Sequence, residues 1–163
     1  MKVNLDNILE FISPMDEFTL KWRFIEEKYD VLPLAHLNQL KPLNKEASNF
    51  LWNHILDSNI HSGYPFQKNF FKTIDETSCE MGLEFEVKKW LYRRGISFTE
   101  QCYMSWQPNE GMIVPWKLFV KYFDSFYYSG DQLTIIDKGM NWSIVFNEDK
   151  LYFGTNKDYE LKE

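Results

Sequence analysis

The sequence predicts an α+β fold: a single domain in which helices pack on an antiparallel sheet that ends in a C-terminal β-meander. Three observations carry this. The chain has 163 residues with 44% apolar and 26% charged residues, which is one domain able to bury a sizeable core. Its aromatic content is high (14 Phe, 9 Tyr, 6 Trp) against two alanines, which excludes a disordered chain, a coiled coil and an Ala/Leu-rich bundle. Finally, the apolar period switches from helical to alternating toward the C-terminus, where strands are separated by turns too short for parallel crossovers.

Leu5, Ile8, Leu9 and Ile12 recur at helical spacing and predict a helix over 4–12, ended by Pro14. Between Phe18 and Ile25, Leu20, Trp22 and Phe24 alternate with Lys21 and Arg23, which suits a strand. Pro33 opens a short helix to about Leu40, closed by Pro42. Asn44 is an N-cap for a helix over 45–60, whose stripe is Ala47, Phe50, Leu51, His54 and Ile55. Residues 63–82 are irregular, with an aromatic patch at Tyr64, Phe66, Phe70 and Phe71. Leu83, Val87, Trp90 and Leu91 predict a helix over 83–94, with Glu84 paired to Lys88 and Gly95 beyond its end, although alternation there also permits a strand. A strand follows over 98–107, with Cys102 facing inward beside Phe98, Met104 and Trp106. Pro115 opens a helix whose apolar face is Trp116, Phe119, Val120, Phe123 and Phe126 or Tyr127. Turns at 129–131, 138–139 and 147–149 then separate the strands QLTIID, NWSIVF and KLYFG.

Charge and motifs exclude several classes of function. The net charge is −6, so nucleic acid would need a basic stripe that the chain lacks. Lys88, Lys89, Arg93 and Arg94 read as a solvated helix face, and Lys41, Lys45, Lys68 and Lys72 are dilute. No apolar run is long enough for a membrane span, and MKVNLDNILEF carries acids inside its apolar stretch, unlike a signal peptide. Cys79 and Cys102 form no CxxC pair, and a reducing cytoplasm is the expected setting. HExxH, GxSxG, GxGxxG and GxxxxGK[ST] are all missing, so no catalytic, cofactor or metal residue is assigned. An enzyme would have to use His54 or His61 as acid–base in an aromatic pocket, which a concavity holding either histidine beside a carboxylate would support.

The candidate binding residues are acids and tyrosines. Asp75, Glu76, Glu80, Glu84 and Glu86 place five acids in twelve residues with no base among them. Asp124 and Asp131 bracket Tyr127 and Tyr128 at a helix exit, where tyrosines supply contact area and acids select a basic partner. The plain structural alternative is a solvated acidic loop beside a packed aromatic helix. Tyr127, Tyr128 and the 64–71 cluster are the aromatics whose spacing does not send them inside.

The stretch PWKLFVKYFDSFYYSGDQLTIIDKGMNWSIVFNEDKLYFG (115–154) resembles a layout of small uncharacterised bacterial proteins and of the immunity proteins of contact-dependent or polymorphic toxin systems. The upstream pieces LKWRF (20–24), LNQLKPL (37–43) and FLWN (50–53) resemble the family DUF2947, which is of the same type. The first resemblance implies a cytoplasmic antidote without catalysis that binds a basic toxin domain, a nuclease, in a one-to-one complex and occludes its active site. The acids of 75–86 would then mimic the nuclease's own substrate. A housekeeping or regulatory binding domain is the alternative function.

Overall fold

The computed structural model describes residues 1–29 and 31–162. Seven strands form one antiparallel sheet. In chain order the elements are α1 (Trp22–Ile25), α2 (Leu34–Leu37), β1 (Lys41–Pro42), α3 (Lys45–Asp57), β2 (Thr73–Ser78), α4 (Glu84–Tyr92), β3 (Gln101–Gln107), β4 (Glu110–Pro115), α5 (Trp116–Lys121), α6 (Phe123–Phe126), β5 (Thr134–Ile136), β6 (Trp142–Asn147) and β7 (Lys150–Thr155). The strand order is β1-β4-β3-β5-β6-β7-β2, so β5–β7 are the expected meander.

Both faces of the sheet are covered, and the strand alternation divides the core accordingly. Cys102, Met104, Trp106, Ile135, Trp142, Ile144, Leu151 and Phe153 face a large cluster shared with α1, α4, α5 and α6. Tyr103, Ile113, Ile136, Val145 and Tyr152 face the opposite cluster, covered by α3 and the segment that follows it. Two of the indole N–H groups buried in the larger cluster find acceptors, Trp106 donating to the Phe126 carbonyl at 3.0 Å and Trp142 to Glu100 at 2.6 Å, while that of Trp116 is buried without a partner among the described residues. Most of the aromatic richness is thus a dense core.

Helix α3 begins as the sequence predicts, with the Asn44 side chain accepting the Ala47 N–H at 2.9 Å. Gly95 follows α4 at φ 81, the left-handed conformation that only glycine adopts at little cost.

Several expectations are corrected. Residues 4–12 form no helix beyond a 3-10 turn at Ile8–Glu10, because Asn4 and Asn7 side chains capture the backbone N–H groups of Asp6, Asn7 and Asn4. The 18–25 segment is turns leading into α1, not a strand, because its backbone bonds are local: the N–H groups of Lys21, Arg23 and Phe24 donate to the carbonyls of Phe18, Leu20 and Lys21. α2 is shorter than expected, with Pro33 as its cap, and Lys41–Pro42 pairs with β4. Helix 115–127 is broken at Tyr122 into α5 and α6, and Pro115 belongs to β4. Phe98 is exposed and lies against Tyr92, away from Cys102. Lys88 pairs with Asp124 at 3.1 Å rather than with Glu84, whose carboxylate takes the Gly82 N–H.

Candidate functional site

Between the two covers of the second sheet face the packing leaves a groove of about 1050 Å³. Its walls come from the C-terminal half of α3 (Trp52, Ile55, Leu56), the 61–65 loop, the 129–133 loop and the β6–β7 turn. The loop after α3 is held against the sheet by close approach. Phe66 and Phe71 pack over Gly154, where a Cβ would stand 2.4 Å from the Phe71 ring and 2.9 Å from the Phe66 ring. Ser105, Thr134 and Val145 of the strands beneath form the groove floor.

That floor is part of one cross-strand row: Ser105 lies opposite Thr134 and Thr134 opposite Val145. The row continues outside the groove, with Val145 opposite Tyr152 and Tyr152 opposite Glu76. His61 Nε2 meets Thr134 Oγ1 at 3.0 Å. Burial holds His61 below its ordinary pKa, so the ring is neutral at pH 7. Tyr64 and Tyr152 hydroxyls are 2.8 Å apart, and this bond is the main cause that pushes Tyr152 up to about 12.

The rim is acidic. Asp131, Glu148 and Asp149 line the groove, and no Lys or Arg does among the described residues. Glu148 stands at φ 54, a left-handed conformation costing a non-glycine residue about 1–2 kcal/mol. The surrounding structure fixes it there. Tyr127 donates its hydroxyl to the Glu148 carbonyl at 3.2 Å, and the Cys79 N–H donates to the Asp149 carbonyl at 2.6 Å. A smaller hollow continues past Tyr64 toward Ser78, Glu80 and Lys150, so charge of both signs stands at its far end.

The residues expected to bind a partner do not form one patch. Asp75 and Glu76 are neighbours on a strand and therefore point to opposite faces. Asp75 lies on the α4 side, 2.9 Å from Arg94, whereas Glu76 shares the groove face with Tyr152 and stands 3.6 Å from Lys150. Glu84 is half-buried and Glu86 exposed on α4, and Asp124 is paired to Lys88. Tyr127 is buried, stacked on Phe146 at 3.9 Å, and burial pushes its phenol up to about 12. Asp131 grips Arg23 through two bonds of 2.8 and 3.1 Å, and Tyr128 lies over the same guanidinium at 4.1 Å. Packing thus takes Tyr127 inside, and Asp131 anchors a buried arginine at the groove's edge.

Sequence reasoning missed Glu148, Asp149, Ser105 and Thr134 as groove residues, because the first two read as turn formers and the last two as strand interior. The available signal was small hydroxyl residues on strand faces that are otherwise apolar. Of the 64–71 aromatics, Tyr64 is exposed and forms groove wall, while Phe66 and Phe71 are core.

Among the described residues no group of three or more His, Cys, Asp or Glu is placed to hold a metal ion, and no helix is long and apolar enough to cross a membrane. In comparisons with known proteins, no family model matches this chain, and no curated protein or solved structure matches it.

Proposed function

We propose that the chain is an immunity protein, a non-catalytic inhibitor that binds the basic toxin domain of a bacterial effector one-to-one in the cytoplasm and occludes its active site. The observation that carries this reading is the acid-rimmed, aromatic-walled groove with no Lys or Arg among its described lining residues. A concave surface carrying one sign of charge focuses its field, and the net charge of −6 adds to it. Such a field speeds encounter with a basic partner, while exposed Tyr64 and half-buried Trp52 supply the apolar contact that slows dissociation. A nuclease domain, which must itself attract polyanions, has the complementary charge.

The test is a pull-down with the full chain from the strain that encodes it, followed by expression of the captured basic protein alone and with the chain. The reading expects a stoichiometric partner that arrests growth alone and is harmless in the pair. A captured partner that is harmless alone points instead to a housekeeping or regulatory binding domain.

A second reading, an enzyme, is favoured by His61 in a concave site bonded to the Thr134 hydroxyl, the spacing of a base and a nucleophile. The carboxylates lie on the rim, and none is bonded to His61 among the described residues. Loss of a turnover activity in both Thr134→Val and His61→Gln, with partner binding intact, would establish this reading over the first.

A further inference from the structure

The rim charges account for attraction to a basic partner but not for the polar floor beneath them. Ser105 is 1% exposed on the groove-facing side of β3, and its hydroxyl has no hydrogen-bond partner among the described residues. An unpaired buried hydroxyl is costly, and a strand position flanked by Met104 and Trp106 could have held an apolar residue. Beside it, Thr134 Oγ1 bonds His61 Nε2 and keeps further bonding capacity. No Lys or Arg stands in the groove lining among the described residues, and two carboxylates, Glu148 and Asp149, stand on the exposed turn above.

This combination selects a ligand by elimination. An anion would be repelled by the rim, and an apolar group would leave the Ser105 hydroxyl unpaired. A small ammonium group satisfies the charge but makes little use of the ring walls at Trp52 and Tyr64. A guanidinium is flat, carries several N–H donors, stacks on aromatic faces and sheds water more readily. We propose that the groove is a pocket for an arginine side chain presented by the protein partner, with its N–H groups donating to the Ser105 and Thr134 hydroxyls and its charge opposed by Glu148 and Asp149. This rests on the partner-binding reading above and names the chemistry of the same site.

The test is an NMR titration of the ¹⁵N-labelled full chain with the capped tripeptide Ac-Gly-Arg-Gly-NH₂, in parallel with its citrulline and lysine counterparts. The expected result is saturable shifts at the Ser105, Thr134 and Glu148 amides. The arginine peptide should bind at least tenfold tighter than the uncharged citrulline one and severalfold tighter than the lysine one. Ser105→Ala should weaken arginine binding severalfold without lowering the melting temperature, and Glu148→Gln should weaken it independently. Equal binding of the arginine and citrulline peptides, or shifts confined to residues outside the groove, would overturn the proposal. A toxin captured and neutralised by a chain that ignores the arginine peptide would remove this pocket and leave the immunity reading standing. The reverse result, with the peptide bound but no toxic partner, would keep the pocket and remove that reading.

Discussion

Asp131 illustrates how burial separates a structural acid from a binding one, and Asp131→Asn measures the difference. Its two oxygens meet Arg23 at 2.8 and 3.1 Å, and one of them also accepts the Tyr128 N–H at 2.9 Å. The Arg23 side chain is 6% exposed and that of Asp131 is 18% exposed, so the pair is held largely away from water. Removing one member of a buried pair typically costs about 3–5 kcal/mol, because the other charge is left without compensation. Asparagine keeps the volume and one acceptor, and Asp131 retains some solvent, so about 3 kcal/mol is expected. With a urea slope of roughly 1–3 kcal/mol per molar, the unfolding midpoint should fall by on the order of 1–3 M. The melting temperature should drop by about 6–12 °C for a chain of this length. Tryptophan fluorescence follows the transition directly. The paired replacement Arg23→Met with Asp131→Leu should recover most of the loss, since an apolar pair removes the stranded charge. A single mutant within about 1 kcal/mol of the parent, or a double mutant as unstable as the two singles combined, would refute this reasoning.

Two further predictions concern the parts that shape the groove. Gly154→Ala should destabilise by about 1–3 kcal/mol, since its Cβ would meet the Phe71 and Phe66 rings that hold down the loop after α3; an unchanged thermal midpoint would mean the rings swing aside freely. His61 has its folded pKa below the unfolded value of about 6.5, so its contribution to stability is fully present above that value and is lost as pH falls through the folded pKa. Urea unfolding between pH 7.5 and 5 should therefore decline more steeply for the parent than for His61→Gln, and parallel profiles would contradict the burial assigned to the ring.

Where local chemistry decides the structure, it was legible. Asn44 and the Ala47–Leu51–Ile55 stripe marked α3, and the turn residues at 138–139 and 147–149 marked the meander. β2 escaped notice because four of its six residues are exposed and it joins the sheet through backbone bonds to β7 alone, so no apolar alternation marks it. β4 escaped for the opposite reason. Met112, Ile113 and Val114 are all fully buried, covered on both faces, so their run shows no period. Leu5, Ile8, Leu9 and Ile12 kept helical spacing, but the Asn4 and Asn7 side chains competed for the backbone. The groove was less legible still. It depends on where the 61–65 loop lands over strands seventy to ninety residues later in the chain, and that is set by Phe66 and Phe71 closing on Gly154. Acidity of the chain was visible from composition, but its distribution was not, since pleating sends Asp75 and Glu76 to opposite faces.

The most direct test of the central claim is the affinity of the captured toxin domain for the chain carrying Glu148→Lys and Asp149→Lys, measured by calorimetry at two salt concentrations. Both side chains are exposed on the β6–β7 turn, so the thermal midpoint should hold while affinity falls at least tenfold, and the salt dependence seen with the parent should flatten. Undiminished affinity in a folded double mutant would contradict the assignment of this groove as the partner's binding surface.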